Sequence, residues 1–550
     1  MGDLFEENDA RSIRIMVVGD SMSQGHEGDF TWRYRLWQWL TQQKVDFRFV
    51  GPYKGTKTPE EPRPPQPPAL LDEPPTENAN VPIDLGGYAV GVRFDSRHFS
   101  VWGQQATRCQ ALVRDQVERF RPHYMLVMLG FNDMGWGVTD AEGTIAVMQQ
   151  LIERARAAEP KLRFAIADVP QRVPVDGAEY LVPMVDRYNR LLRMSVKKWG
   201  TEESPIELAG VSDGYDCSRG SYDGLHPNAL GEFQIARVFS QSLVRGYEIG
   251  TDELQIPREI PKRPTPVPAN IVAKAVPYGI AVTWDSVYGA LGYDVRSHAD
   301  DGSPWDESRT AVSRFDSIWT EEGQEYQYQV RTYNGDHLTS AWSRVASAVA
   351  HPKTASGPRS IVTKPDAQQV AIQWEELPGQ LGIGRYEVML SDQSVPGSSP
   401  SSFGVKGTNT TVRDLTPSHK YGLSISTWTD DGGGIPTVAR SFVAGRGKPP
   451  VPTQLRVETR NSNAVHLEWQ GSDDAAGYIV WVRNRVEDLG FSEDGETEST
   501  DYGITFLILG AWNFEFCVSA YNGDLESERS SCVVPPRSDG SIGSAAVPLS

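Results

Sequence analysis

Four short blocks in the first 230 residues carry side chains able to act together. They are Gly19-Asp20-Ser21, Trp102-Gly103-Gln104-Gln105-Ala106, Leu129-Gly130-Phe131-Asn132-Asp133 and Asp223-Gly224-Leu225-His226-Pro227-Asn228. A serine hydroxyl such as that of Ser21 is a poor nucleophile at neutral pH and needs a base within hydrogen-bond reach. An imidazole such as His226 can take that proton and later return it to a leaving alkoxide. A nearby carboxylate, here Asp223, can hold the ring in one tautomer and stabilise its charged form. Each block alone has a plainer reading. Gly, Asp and Ser are ordinary turn residues, Asn132 and Asp223 suit turns, Gly103 suits a helix start, and His226 suits a polar loop. Their joint occurrence at strand and loop ends favours nucleophilic chemistry over turn chemistry.

These residues need a scaffold that brings distant loops to one edge. Apolar runs predict strands at Ile13–Val18, Phe47–Val50, Tyr124–Leu129, Arg163–Val169 and Ile206–Val211. Amphipathic stretches near Thr31–Gln42, Gln104–Phe120, Thr139–Ala158, Ala178–Lys198 and Asn228–Tyr247 predict the helices between them. Such alternation indicates a parallel sheet covered on both faces, with ligands at the carboxyl edge of the strands. Ser21 falls at that edge. One segment breaks the pattern: Thr58 to Pro75 contains Glu-Glu-Pro-Arg-Pro-Pro-Gln-Pro-Pro, which fits neither helix nor inner strand. It is read as a disordered surface insertion, with a wall of the substrate cleft as the alternative.

Prolines 257, 261, 264, 266 and 268 mark a stiff, extended linker, and beyond it the texture changes. Short β-branched and aromatic strands recur with a period of roughly 90 residues. Each unit places a tryptophan in an alternating strand, at Trp284, Trp374 and Trp469. A tyrosine strand follows: Gly292-Tyr-Asp-Val295, Arg385-Tyr-Glu-Val388 and Gly477-Tyr-Ile-Val480. A late alternating strand closes the first and third units at Tyr333-Asn334-Gly335 and Tyr521-Asn522-Gly523, whereas the second ends in Thr429-Asp-Asp-Gly-Gly-Gly. Alternate residues must fill one core in an antiparallel sandwich, so the three tryptophans are expected as core anchors. The expected division is residues 1–250, a linker at 251–266, sandwiches at 267–352, 356–445 and 449–536, and a disordered tail at 537–550.

Composition narrows the partners. The 550-residue chain is too long for one core and should divide into about three to five domains. A formal net charge of −19 argues against a nucleic-acid or anionic-membrane partner. No apolar run has membrane-spanning length, and the first nine residues lack the basic and apolar regions of an export signal. The expected location is therefore the cytoplasm for the chain as given, or outside the cell had a signal been removed. Four cysteines do not make a disulfide framework. Cys517 and Cys532 face each other across a predicted hairpin and can pair, and a Cys109–Cys217 pair is the weaker alternative. No Cys-x-x-Cys or His-Glu-x-x-His spacing occurs, so no metal site and no cofactor is expected.

The order and spacing of the four blocks resemble the SGNH, or GDSL-type, hydrolase family. The resemblance implies a three-layer α/β fold with a flavodoxin-like parallel sheet and an activity on acyl esters. It implies that Ser21 is the nucleophile, His226 the base and Asp223 its partner. The Ser21 and Gly103 backbone N–H groups and the Asn132 amide would form the oxyanion hole. The second block departs from the glycine-rich signature common in the family, offering the single Gly103. No Gly-x-Ser-x-Gly elbow is present, which disfavours the α/β-hydrolase alternative. The sandwiches resemble fibronectin type III domains over almost all of Pro264 to Pro536.

Within the family, the opening block followed by Thr31-Trp-Arg-Tyr-Arg-Leu-Trp-Gln-Trp39 and Phe49-Val-Gly51 looks most like the carbohydrate-esterase branch, which implies deacetylation of glycans and a polysaccharide partner. Hydrolysis or transfer of an acyl group on a small metabolite or lipid is the second reading. A binding or adhesion array carrying a vestigial hydrolase is the third, and the intact Ser21, Asp223 and His226 weigh against it. His98, just before the second block, is expected to be structural rather than to line the cleft. Residues 1–255 are expected to fold and to retain turnover, unless the first sandwich folds back as a wall of the site.

Overall fold

The computed structural model describes residues 12–71, 73, 82–175, 178–300, 302–335, 338–486, 489–507 and 513–535. The tail expected after Pro536 and parts of the Thr58–Pro75 insertion lie outside these residues. The chain forms two compact units, residues 1–64 with 77–351 and residues 65–76 with 352–550.

The first unit begins with the predicted α/β alternation. Its strands are β1 (Ile13–Gly19), β2 (Phe47–Val50), β3 (Phe99–Ser100), β4 (Tyr124–Met128), β5 (Arg163–Ala167) and β6 (Ile206–Ala209). They form one parallel sheet in the order β2-β1-β4-β5-β6, with β3 paired to the end of β1. β4 is buried along its whole length, as its Tyr-Met-Leu-Val-Met run requires of a strand covered on both faces. The helices are α1 (Ser21–Gln24), α2 (Trp32–Gln42), α3 (Ala106–Phe120), α4 (Phe131–Gly135), α5 (Ala141–Ala158), α6 (Leu181–Trp199), α7 (Val211–Gly214), α8 (Cys217–Gly220) and α9 (Ala229–Tyr247). The aromatic stripe of α2 is core. Trp32 is fully buried and stacks on Phe239 of α9 with ring centroids 4.6 Å apart.

Three antiparallel sandwiches follow, each a three-stranded sheet against a larger one. The first pairs Val272–Val276, Gly279–Thr283 and Arg314–Ile318 opposite a sheet built on Gly292–Ala299 and Glu325–Tyr333. In all three the anchor tryptophan meets the tyrosine of the following strand edge-on, with interplanar angles of 67–72°. Centroid distances are 5.1 Å for Trp284–Tyr293, 5.3 Å for Trp374–Tyr386 and 5.4 Å for Trp469–Tyr478. In the second sandwich, Gly432 and Gly433 pair back onto Thr429 and Trp428, so the divergent Asp-Asp-Gly-Gly segment is a tight hairpin. Cys517 and Cys532 form a disulfide in the third sandwich, while Cys109 and Cys217 are both free thiols. The alternative Cys109–Cys217 pair is thus not made.

The Pro-rich insertion has an ordered role in the second unit. Ala69 O accepts from Gly404 N–H (2.7 Å), Leu71 N–H donates to Gly404 O (3.1 Å), and Arg385 donates to Pro68 O (2.6 Å). Residues 68–71 therefore cover the edge strand Ser401–Val405 of the second sandwich, where unpaired backbone groups would otherwise face solvent. These contacts replace the disordered surface loop expected of these residues.

The first unit holds the α/β sheet and the first sandwich together, so a cut at residue 255 falls within a packed body. Trp374 is 4% exposed in the core of the second sandwich. Trp374→Ala should destabilise that sandwich by about 3–5 kcal/mol. Urea unfolding followed by far-ultraviolet circular dichroism would register the loss, and an unchanged midpoint would contradict the core assignment.

Candidate active site

β1 ends at Gly19, and the carboxylate of the following Asp20 accepts from Met22 N–H (3.0 Å) and starts the single turn of α1. Ser21 is the first residue of that turn, at the carboxyl edge of the sheet. Fully buried Arg33, on α2, donates to the carbonyls of Ser23 (2.7 Å) and Gln24 (3.0 Å), satisfying the far end of α1. The nucleophile candidate thus sits on a turn fixed at both ends.

The flanking strands bring the next two blocks to the same edge. Val18 and Gly19 pair with Phe99 and Ser100 on one side and with Val127 and Met128 on the other. The turn after β3 contains Gly103 at φ 77°, in the left-handed region that favours glycine, and an added Cβ would lie 3.0 Å from the Trp136 ring. Asn132, on α4 beyond β4, is buried and donates through Nδ2 to Gln104 O (3.0 Å). Its amide has a second N–H for another acceptor. The adjacent Asp133 accepts from Ala106 N–H (2.7 Å) and Thr107 N–H (3.0 Å), fastening the start of α3 to the same corner.

The fourth block closes the group. His226 Nε2 lies 2.9 Å from Ser21 Oγ, and His226 Nδ1 lies 2.6 Å from Asp223 Oδ2. An ionised carboxylate only accepts, so Nδ1 carries the proton and Nε2 is the acceptor facing the hydroxyl. The loop is held from within. Asp223 Oδ1 accepts from Leu225 N–H (3.0 Å) and His226 N–H (2.8 Å), and Tyr215 donates to Leu225 O (2.7 Å). Burial acts to raise the Asp223 pKa. The hydrogen bond and charge of His226, with the two backbone N–H groups, outweigh burial and leave it below the usual carboxylate value.

Two aromatic residues not singled out from the sequence attend the imidazole. Trp102 lies nearly parallel to His226 at 4.7 Å between centroids, and Tyr222 does so at 5.8 Å. Both adjoin quoted site residues, Gly103 and Asp223, and only the folded structure shows what they face. Lys57 Nζ sits 4.9 Å from the Trp102 ring centroid. His98 is fully buried, with Nε2 2.9 Å from Gly55 O and Nδ1 accepting from Ser100 N–H; burial drives its pKa well below the ordinary value. It is structural, as expected. Among the described residues no group of three or more His, Cys, Asp or Glu is arranged to hold a metal ion. No helix among them is long and apolar enough to cross a membrane.

A parallel three-layer domain with a serine, imidazole and carboxylate in hydrogen-bonded series at its carboxyl edge has the form of a hydrolytic site. Residues 17–232 match the model of the GDSL-like Lipase/Acylhydrolase family, and this part of the chain is a domain of that family, in the SGNH ester-hydrolase class. Among solved structures, a carbohydrate esterase family 3 protein from Talaromyces cellulolyticus is 22% identical, with a TM-score of 0.33, covering 43% of this chain and 98% of its own. A two-domain fibronectin type III segment of chicken tenascin is 16% identical, with a TM-score of 0.15, covering 32% of this chain and all of its own. Curated relatives include receptor-type tyrosine-protein phosphatase F of Bos taurus, 24% identical over 75% of this chain. Fibronectin type-III domain-containing protein 3A of Mus musculus is 29% identical over 17% of it. The chain spans 22% and 8% of the lengths of these two relatives. Its C-terminal sandwiches are fibronectin type III-like.

Asp20 supplies a test of this corner. Burial raises its pKa from 3.8 to about 6. The folded state therefore binds this proton more tightly than the unfolded state. The group's stabilising contribution is present below pH 3.8 and is lost as pH rises through about 6. Asp20→Asn keeps an oxygen for Met22 N–H and removes the buried charge. Relative to wild type it should gain up to about 3 kcal/mol between pH 4 and pH 7, following the linkage of pKa shift to stability. Thermal unfolding across that range checks this, and a pH-independent difference would contradict it.

Proposed function

We propose that the chain is a serine esterase working by a Ser-His-Asp mechanism, and that its substrate is an acylated, most simply acetylated, carbohydrate. The observation that carries the mechanism is the continuous series Ser21 Oγ, His226 Nε2, His226 Nδ1, Asp223 Oδ2, at 2.9 and 2.6 Å. As the Ser21 oxygen attacks the ester carbonyl, its proton passes to Nε2, and Asp223 stabilises the resulting imidazolium. The carbonyl oxygen becomes an oxyanion, for which the Ser21 and Gly103 N–H groups and the second N–H of Asn132 are the donors. Collapse breaks the bond to the alkoxide, which leaves with the proton from Nε2, and Ser21 keeps the acyl group. Water then attacks the acyl-enzyme with His226 again as base, releasing the carboxylic acid and restoring the hydroxyl. No metal or cofactor enters this cycle.

The carbohydrate assignment is supported by the resemblance of the Thr31–Trp39 and Phe49–Gly51 stretches to the carbohydrate-esterase branch. A panel of esters of graded acyl length, with acetylated xylan as the polymeric member, tests it. Preference for acetyl and release of acetate from xylan are expected. Preference for long acyl chains or a thioester donor would move the assignment to lipid or metabolite chemistry.

Ser21→Ala should lower kcat by about 10⁴–10⁶, as loss of a triad nucleophile does. A fluorophosphonate should label the intact chain at Ser21, read by mass spectrometry. Labelling at another residue, or a fully active variant, would refute the nucleophile. Asn132→Ala should cost on the order of 10²–10³ in kcat with KM nearly unchanged. An effect confined to KM would make it a ground-state binding residue instead.

A further inference from the structure

The loop that carries Asp223 and His226 is in contact with more than its own domain. Tyr333, at the end of the late strand of the first sandwich, donates to Tyr222 O at 3.4 Å. Gly335 follows at φ 115°, so close to Tyr222 that an added Cβ would lie 3.4 Å from the Tyr222 Cβ. Between them, Asn334 is 4% exposed, accepts from Leu291 N–H (2.9 Å) and donates to Pro264 O in the linker (2.9 Å). The Tyr-Asn-Gly turn therefore ties its own sandwich and its linker to the residue before Asp223.

A second fastening lies beside it. Arg263 of the linker is ion-paired with Asp29 and donates to Gly289 O of the first sandwich and to Glu27 O (2.8 Å). Gly28 and Gly289 meet backbone to backbone, and Tyr288 donates to Tyr88 O (2.6 Å). A cleft of about 980 Å³ opens along this junction, lined by Phe30, Tyr222, Asp223 and Arg263 together with Tyr288 and Asn334 of the sandwich side.

The same turn recurs in the third sandwich with the same use. Asn522 is fully buried, accepts from Val443 N–H (2.7 Å) and donates to Arg446 O (2.9 Å) in the connection from the second sandwich. Gly523 approaches Thr363 of that preceding sandwich, whose carbonyl would be 2.9 Å from an added Cβ. Within its own unit, each Tyr-Asn-Gly turn thus joins its sandwich to the domain before it.

We infer that the first sandwich is a working part of the esterase: its Tyr333-Asn334-Gly335 clasp, with Arg263, presses Tyr222 against the His226 imidazole and fixes that base over Ser21. Tyr222 and Arg263 are positioning residues, and the inference rests on the Ser-His-Asp reading above. A ring held near-parallel to the imidazole limits its swing, and a misplaced base loses rate without losing substrate affinity.

The test uses the full chain, a small soluble acetate ester and a fluorophosphonate, at a temperature where circular dichroism shows every variant folded. Tyr222→Ala and Arg263→Ala should each lower kcat by about five- to fiftyfold, in the range for displaced catalytic groups, with KM within about twofold. The rate of phosphonylation at Ser21 should fall in step, because it reads activation of the nucleophile. Tyr222→Phe keeps the ring and should recover most of the loss. Variants that match wild type in kcat and phosphonylation rate would overturn the clasp and leave the esterase reading standing. So would equal losses in Tyr222→Phe and Tyr222→Ala. A wild-type chain that neither turns over the ester nor labels at Ser21 would overturn the esterase reading, and the clasp with it.

Discussion

The hydrogen bond between Ser21 and His226 joins residues 205 positions apart and permits little error. Proton transfer needs donor and acceptor within about 3 Å, so every connection between the two residues must return the chain to one edge of one sheet. A parallel sheet does this because all its strands end on the same side. β1 delivers the serine, β3 and β4 deliver Gly103 and Asn132 from either side, and the loop before α9 delivers the histidine. Buried polar anchors then remove the remaining freedom. Arg33 holds the end of α1, Asp133 holds the start of α3, and Asp223 holds its own loop.

These anchors are costly to bury and act only when fully paired. Asp20 shows the tension. It caps α1 through Met22, yet its burial raises its pKa to about 6. The corner beneath Ser21 accepts an electrostatic penalty in exchange for a fixed turn. Asp223 shows the opposite balance, since the imidazole and two N–H groups more than offset its burial.

Much of this was legible in the residue order. Five strands and five long helices follow from apolar runs and 3.6-residue periodicity, and the anchor tryptophans follow from alternation. The four blocks were readable as a group because nucleophilic chemistry is restrictive in residue type and position. What escaped depends on partners distant in sequence. β3 is only two residues long and exists through pairing with the end of β1. The segment at Ala69–Leu71 has no strand pattern of its own, and becomes an edge because Gly404 offers an unpaired carbonyl and N–H. Tyr333-Asn334-Gly335 was visible as a motif closing a strand, but nothing near it in sequence names Tyr222 as its counterpart. Likewise Trp102 gave no sign that its ring would face His226.

The two clasps also set how this chain ages. Asn334 and Asn522 each precede a glycine, the setting in which the following backbone nitrogen most readily closes on the side-chain amide and converts asparagine to aspartate or isoaspartate. Here each amide is buried and engaged on both its oxygen and its nitrogen, which withholds the side chain from that attack while the junction stays shut. Conversion at either position would replace a donor with an anion facing the carbonyl of Pro264, or of Arg446. The chemical clock of this chain therefore runs at its domain junctions, slow while they are closed and self-accelerating once one has opened.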